Sequence, residues 1–277
     1  MKALIRSLAT FIKRSNTIPT PGKLTDQIVY TYTILRGTMG LLGFILPPLL
    51  VFGGLTSLWW LSTPLEAQNS LSAYYHASGI SESIGLDCTA NDGVYRDLFV
   101  GILAVTGACS ILYGGFNSLE NWLLNLAGVF LLGVAFFPTD WPEQQFIDAC
   151  SNLDGFQRFQ ASQLLGLPIS IHGASAILFF LAITAVNFFT ALKTVELIED
   201  GSQRRFWARI FQWARWLMPA APVVVLLVKL LTGDSLIEDD IVLWVEWVGI
   251  WAFSIYWILK SIEIFRSTVQ IDLLRRK

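Results

Sequence analysis

Residues 164–192 read LLGLPISIHGASAILFFLAITAVNFFTAL and include no Asp, Glu, Lys or Arg. A helix needs about 20 mostly apolar residues to cross a hydrocarbon core ~30 Å thick. This run is longer than that, and His172 is its only ionisable side chain. The stretch therefore predicts a membrane-spanning helix and an integral membrane protein.

The composition of the whole chain supports this class. Of its 277 residues, 54% are apolar and 14% are charged, and the mean hydropathy is +0.56. A soluble domain carries about 25% charged residues, so this chain has too little polar surface to cover itself in water. Its few basic residues are dispersed around apolar runs, which favours the lipid bilayer as a partner and argues against nucleic acid.

Six stretches are long and apolar enough to span a membrane, or nearly so. They lie at 38–61, 97–116, 121–138, 164–192, 216–232 and 241–262. Pro47 and Pro48 interrupt the first, but neighbouring helices in a membrane can satisfy the backbone groups that proline leaves free. We therefore predict an all-α, polytopic bundle of about six spans within residues 38–262.

The placement of basic residues predicts the orientation of this bundle. Lys and Arg are retained in cytoplasmic loops, and all but three of the 19 basic residues fall on one side of the predicted spans. The exceptions are Arg96, Arg158 and Lys229. We predict a bacterial inner-membrane protein with both termini in the cytoplasm and with outer loops at 62–96, 139–163 and 233–240.

The cytoplasmic parts are predicted to be an N-terminal segment, 1–37, and a basic tail, 263–277. Residues 2–14 (KALIRSLATFIKR) carry apolar side chains at helical spacing, and residues 203–217 (QRRFWARIFQWARWL) do the same among arginines and tryptophans. Both patterns predict amphipathic helices that lie on the inner membrane surface. The alternative is that each is a plain cytoplasmic linker.

The chain has three cysteines, too few for a disulfide scaffold. Cys88 and Cys150 fall in the first and second outer loops, where an oxidising compartment permits a disulfide between them. The alternative is two free thiols. Cys109 lies within the second span and is expected to be a small buried hydrophobic residue.

Polar residues gather at the predicted outer ends of the spans. Ser72 and His76 are four residues apart and share one face if their segment is helical. Imidazole and carboxylate groups bind zinc, and a zinc-bound water has its pKa lowered to about 7, which makes it a nucleophile. We predict zinc ligands at His76, His172 and Glu246, with Ser72 and Asp97 as catalytic residues and Tyr75 and Arg96 as substrate contacts.

Each of these residues also has a structural interpretation. His172 can hydrogen-bond a neighbouring helix beside small residues that permit close packing, and His76 can be an interfacial loop residue. Glu246 can pair with Lys229. Asp97 can cap the second span, or it can pair with Arg96 or Arg158.

Four motifs resemble a pattern in uncharacterised bacterial multi-pass membrane proteins. The motifs are SLSAYYH, YRDLFVG, AGVFLLGVAFFPT and IHGASAILFFLA, all within residues 69–185. More remotely, Ser72, His76 and Asp97 resemble the Ser-x-x-x-His and Asp motifs of the CREST superfamily of membrane-embedded zinc hydrolases, which includes alkaline ceramidases and adiponectin-type receptors. That resemblance implies a late His-x-x-x-His pair, but here Ala176 stands four residues after His172, and the chain has no third histidine.

Three classes of function fit these features. The first is a metal-dependent membrane hydrolase acting on a lipid or amide bond from the outer side. The second is a transporter or channel for cations or small solutes, whose acidic outer loops raise the local cation concentration. The third is a structural or assembly subunit that binds a membrane-protein partner through the Trp-rich sixth span.

Overall fold

The computed structural model describes residues 21–56, 68–75, 80–81, 85–86, 94–139, 169–232 and 241–275. Within these residues the chain forms seven α-helices: α1 Pro21–Thr56, α2 Val94–Leu112, α3 Ser118–Phe136, α4 Ile171–Phe189, α5 Gly201–Ala214, α6 Leu217–Thr232 and α7 Ile241–Arg275. Two 3-10 helices, Ser72–Tyr75 and Val195–Leu197, and one two-residue antiparallel pairing, Ile80–Ser81 with Gly85–Leu86, complete the described structure. The predicted all-helical class is confirmed.

Five of the described helices, α1 to α4 and α7, are long and apolar enough to cross a membrane. The shorter helices α5 and α6 meet at a bend of 43°, and counting this bent pair as one span gives six. The multi-pass class that the composition predicts therefore agrees with the fold.

Two helices run further than the predicted spans. α1 begins at Pro21 rather than near residue 38, and α7 continues past residue 262 to Arg275. The predicted limits excluded Arg36 and residues after 262 because charged side chains are expensive in a membrane. In the structure Arg36 and Glu263 are both buried, each near an oppositely charged side chain, so neither charge ends its helix.

The bundle is built from two sets of antiparallel neighbours. α1 packs along α7, and α3 packs between α2 and α4, while α6 packs on α7. Small residues allow the closest approaches: a Cβ atom on Gly40 would lie 2.7 Å from Ile258 Cγ1 on α7. Close packing of this kind, rather than hydrophobic burial, drives helix association inside a membrane.

Proline 48 in α1 leaves a backbone carbonyl without its helical partner, and a neighbouring helix supplies a replacement. Proline has no N–H to donate to the carbonyl four residues earlier, which here belongs to Phe44. Trp251 of α7 donates its indole Nε1–H to the Phe44 carbonyl oxygen at 3.1 Å, and the two aromatic rings stack with centroids 5.1 Å apart. The prediction that a neighbouring helix satisfies the backbone group left free by proline is therefore confirmed for Pro48, and Trp251 is the residue that does so.

The crossing of α2 and α3 gives a direct test of the packing. A Cβ atom on Gly128 would lie 2.6 Å from the Gly107 carbonyl oxygen and 2.5 Å from Ile111 Cγ1, whereas one on Gly101 would meet nothing within 4 Å. We expect Gly128→Ala to lower the free energy of unfolding by about 1–3 kcal/mol through overpacking. Gly101→Ala is the matched control and should be neutral or slightly stabilising. Thermal unfolding of the two purified variants would measure this, and equal midpoints would contradict the packing.

Candidate functional site

The candidate site lies at the end of the bundle where α3 ends and where α4 and α7 begin, called here the site end. Ser170 caps α4 by accepting a hydrogen bond from the Gly173 N–H at 3.0 Å, which fixes the first turn that carries His172. The 3-10 helix Ser72–Tyr75 packs beside α2 at this end. The carbonyl of Asn69 accepts the Leu243 N–H at 3.0 Å and so joins the same segment to the first turn of α7.

Ser72 and His172 are in direct hydrogen-bonding contact. Ser72 Oγ lies 2.9 Å from His172 Nε2, and His172 Nδ1 lies 2.8 Å from the carbonyl oxygen of Phe137, the residue that caps the end of α3. Both side chains are buried. Because a carbonyl can only accept, Nδ1 must carry a proton, and in the neutral ring Nε2 is then free to accept one from Ser72.

Glu246 meets the same serine from α7. Its Oε1 atom lies 2.9 Å from Ser72 Oγ, and its Oε2 atom accepts the Leu71 backbone N–H at 2.7 Å. The backbone N–H of Ser72 also contributes a hydrogen bond to this carboxyl group. Glu246 thus holds the start of the 3-10 helix against α7, and it does so through the residue that contacts His172.

The position of the serine hydroxyl between two partners fixes the number of protons they share. The hydroxyl has a single hydrogen to donate. If it is given to His172, the Glu246 carboxyl must carry a proton and donate it to Ser72 Oγ; if it is given to Glu246, the imidazole Nε2 must be protonated and donate instead. Either way His172 and Glu246 hold one shared proton between them, and the group as a whole is uncharged.

An apolar chamber extends from Ser72 and Glu246 into the bundle. All five of the helices α1 to α4 and α7 contribute to its wall, and its empty space, counted together with the open space that it adjoins, is about 610 Å³. Its polar side chains are Ser72, Glu246 and Thr106, and the Thr106 hydroxyl donates to the carbonyl of Ile102 in its own helix. His172 is not among the lining residues, so it lies behind Ser72 as seen from the chamber.

The structure brings together three of the predicted site residues, Ser72, His172 and Glu246, and leaves others elsewhere. Asp97 and Arg96 lie on the exposed face of α2, where they pair with each other at 3.1 Å with 68% and 48% of their side chains exposed. Neither makes a hydrogen bond to the serine group. The pairing of Asp97 with Arg96 is one of the structural interpretations given for that residue, and its catalytic role stays a prediction.

Of the remaining predicted residues, the structure describes Tyr75 but not the other three. Tyr75 is half-buried and packs against the core at the end of the 3-10 helix. His76, Cys88 and Cys150 lie outside the described residues, so the proposed metal ligand and the disulfide stay predictions. Glu246 binds Ser72 and Leu71, which is neither the predicted metal contact nor its structural alternative, a pair with Lys229.

The described residues do not fit a zinc ion by themselves. No group of three or more His, Cys, Asp or Glu side chains that could hold a metal occurs in the described part of the chain. His172 Nε2 and Glu246 Oε1 both face the Ser72 hydroxyl, so an ion between them would have to displace it. A catalytic zinc site takes three protein ligands, and in the predicted set the third is His76.

A second buried polar group, which sequence reasoning missed, lies at the other end of the bundle. Lys260 of α7 donates to the Ala191 carbonyl at 2.6 Å, to Thr194 Oγ1 at 2.5 Å and to Glu263 Oε2 at 2.9 Å. These three bonds use every hydrogen of the ammonium group. Lys260 and Glu263 are 3% and 1% exposed, so this ion pair is fully removed from solvent.

Arg36 of α1 forms the other half of this group. Its guanidinium donates to the Tyr113 hydroxyl and lies 3.9 Å from Glu120 Oε1. It also lies over the rings of Tyr113 and Phe116, at 4.8 and 5.1 Å from their centroids, in cation–π geometry. A favourable electrostatic interaction between Glu120 and Lys260 connects the two halves. We call Arg36, Glu120, Lys260 and Glu263 the charge cluster.

Comparison with known proteins adds nothing to this geometry: no family model, no curated protein and no solved structure matches the chain.

Proposed function

We propose that this protein is a membrane-embedded hydrolase that cleaves an ester or amide bond of a lipid, with Ser72 as nucleophile and His172 as general base. The observation that carries the proposal is the 2.9 Å between Ser72 Oγ and His172 Nε2, together with the bond from Nδ1 to the Phe137 carbonyl. A nucleophile within hydrogen-bonding reach of a base, with the base oriented by a third group, is the arrangement that activates serine.

In the first step Ser72 Oγ attacks the substrate carbonyl carbon while its proton moves to His172 Nε2. The C=O π pair goes to the carbonyl oxygen, so a tetrahedral oxyanion forms beside an imidazolium. The oxyanion then collapses, the bond to the alcohol or amine breaks, and His172 gives its proton to that leaving group. The product of this half-reaction is an ester between the acyl group and Ser72.

In the second step water cleaves this ester. His172 takes a proton from the water, the resulting hydroxide adds to the acyl carbon, and collapse returns the Ser72 oxygen with the proton from His172. A carboxylic acid leaves and the hydroxyl is restored. The Phe137 carbonyl accepts the Nδ1–H throughout, which keeps Nε2 directed at the serine.

Glu246 is a positioning residue in this scheme. The reactive arrangement is the one in which Ser72 donates to His172 and the protonated Glu246 carboxyl donates to Ser72 Oγ. Its bond to the Leu71 N–H holds the nucleophile-bearing turn at the mouth of the chamber. The protein therefore supplies orientation before the substrate arrives, and such orientation contributes much of the rate in acyl transfer.

A fluorophosphonate probe tests the nucleophile directly. An activated serine displaces fluoride from this reagent and forms a stable Ser–O–P bond, so we expect purified protein to be labelled on the peptide that contains Ser72. Ser72→Ala should abolish labelling, whereas Ser110→Ala should not, because Ser110 is buried in α2 and its hydroxyl donates to the Thr106 carbonyl. Labelling that survives in Ser72→Ala, or folded wild-type protein that is never labelled, would contradict the proposal.

The proposed orientation places the site end in the outer leaflet, with both termini in the cytoplasm. Arg36 and Lys260 belong to buried ion pairs, so they no longer count as loop cations. The other counted residues still favour a cytoplasmic location for the loop before α5 and for both terminal segments. An alkaline phosphatase fusion at the C-terminus should be inactive and a green fluorescent protein fusion should fluoresce; active phosphatase there would reverse the topology.

The other sequence hypotheses stay predictions. A zinc-dependent route would add His76 to His172 and Glu246, and it would appear as about one equivalent of metal in purified protein that is lost in His76→Ala. A transport role would appear as flux into proteoliposomes that depends on Glu246. An assembly role would appear as one dominant crosslinked neighbour in intact membranes.

A further inference from the structure

The chamber beneath Ser72 is apolar along most of its wall and polar at the end where Ser72 lies. Its walls are apolar, with Phe99 and Leu103 of α2, Leu131 of α3, Phe179 of α4 and Phe253 of α7 among them. The polar side chains at the site end of the chamber are Ser72 and Glu246. A ligand that fits this chamber presents a polar group at one end and a hydrocarbon body behind it.

The depth of the chamber follows from the helices that line it. On α2 the lining residues run from Phe99 to Thr106, and on α7 from Glu246 to Phe253. Each interval is seven residues, about 10 Å at 1.5 Å per residue, which is the length of an extended alkyl chain of roughly eight carbons. Thr106 and Phe253 mark the deep end.

We infer that the chamber binds the acyl chain of the lipid substrate and selects chains of roughly eight carbons, with the scissile carbonyl at Ser72. This inference rests on the proposed function, since it uses Ser72 to place the carbonyl. Three observations support an acyl chain: the apolar wall, the polar groups at one end, and the surrounding helices, which are long and apolar enough to lie in a bilayer. For a free fatty acid that enters from water, each methylene that fits should strengthen binding about fourfold, until the chain meets the deep end; a chain that enters from the bilayer gains no such term, because lipid is already apolar.

Ala176 of α4 is the residue through which chain length can be changed. It lines the chamber and is half-buried, whereas its neighbour Ile177 lies about 100° further round the helix and is 54% exposed. Ala176→Phe should fill part of the chamber and shorten the longest chain that it accepts. Ile177→Phe is the matched control, because the new ring would lie outside the bundle.

The experiment is photocrosslinking of a fatty acid with a diazirine near its methyl end, applied to Ser72→Ala protein in nanodiscs so that binding is measured without turnover. We expect an eight-carbon probe to crosslink within Ile102–Thr106 or at Phe253. Unlabelled octanoate should compete at least tenfold better than hexadecanoate. Ala176→Phe should reduce the crosslink at least tenfold, and Ile177→Phe should leave it within twofold.

The outcomes separate the two proposals. Crosslinks confined to lipid-exposed positions such as Leu181, or crosslinks that Ala176→Phe does not change, would overturn the acyl chamber. If crosslinking at the deep end succeeds but Ser72 is never labelled by fluorophosphonate, the result supports acyl-chain binding in the chamber and contradicts the proposed hydrolase. If Ser72 is labelled equally fast by alkyl fluorophosphonates of four to sixteen carbons, the result supports the proposed hydrolase and contradicts the chain-length selection.

Discussion

Replacing His172 with alanine should slow fluorophosphonate labelling of Ser72, and any hydrolysis that depends on it, by about 10²–10⁴-fold. That is the range that general-base catalysis contributes. His172 Nε2 is the only described basic atom within hydrogen-bonding distance of Ser72 Oγ apart from the carboxyl of Glu246. Without it the hydroxyl has no imidazole to take its proton. The measurement is the pseudo-first-order labelling rate of detergent-purified protein.

Because His172 also joins α4 to the end of α3, its loss could act through structure, and a second variant separates the two effects. His172→Gln can still donate to the Phe137 carbonyl and accept from Ser72, but an amide does not take up a proton at neutral pH. We expect His172→Gln to keep the thermal midpoint near that of wild type while losing most of the labelling rate. Full labelling of folded His172→Gln protein would remove the general base from the mechanism.

Removing one partner of the Lys260–Glu263 pair should cause the largest loss of stability available in the described chain. Glu263→Leu leaves the Lys260 ammonium buried without its carboxylate at 2.9 Å, with the Thr194 hydroxyl and the Ala191 carbonyl as its neutral acceptors. Breaking a buried pair in this way costs about 3–5 kcal/mol. Reversible unfolding in mixed micelles, or the thermal midpoint in one detergent, would measure the loss.

Two further variants test whether the unpaired buried charge causes this loss of stability. Glu199 is exposed, so Glu199→Leu makes the same chemical change where no buried charge is stranded, and it should cost little. The double variant Lys260→Met/Glu263→Leu removes both charges and should recover at least half of the loss, because a buried pair can be replaced by apolar groups at small cost. A double variant less stable than Glu263→Leu alone would mean that Lys260 is stabilised by its other contacts rather than by Glu263.

The sequence predicted at which end of the bundle the site residues lie but not how their helices are rotated. Ser72, His172 and Glu246 were all placed toward the same end, and they meet there. Asp97 was placed at that end too, yet its side chain is exposed, whereas Phe99, two residues later, lines the chamber. Two residues correspond to a turn of about 200° on a helix, and the choice of face depends on packing against α3, which hydropathy does not contain.

The sequence predicted which residues meet in the site better than it predicted the role of each one. His172 and Glu246 were assigned to a metal because both are common ligands, whereas the structure places a serine hydroxyl between them. Positions 72, 172 and 246 belong to three separate segments, so no spacing along the chain relates them. Their order in space is set by the turn of the 3-10 helix and by the Asn69–Leu243 hydrogen bond that attaches it to α7.

The charge cluster was missed for a different reason. Counting cations to orient a membrane protein treats each Lys and Arg as a loop residue, and Arg36 and Lys260 were counted in that way. A signal was available: Lys260 and Glu263 are three residues apart, the spacing at which opposite charges meet on one helix face. Apolar residues continue at helical spacing beyond 262, which indicates that α7 does not end at Lys260.

The indole of Trp251 on the Phe44 carbonyl has a mechanical consequence for the first helix. The main-chain bond that would normally stiffen α1 at this point is absent, and a side chain from α7 stands in its place. The outer part of α1 can therefore tilt by exchanging one contact with a tryptophan, without unwinding a turn. Gly43 and Leu46, which lie on either side of Phe44, line the chamber, so the tryptophan that replaces the missing main-chain bond also holds the part of α1 that forms the chamber wall.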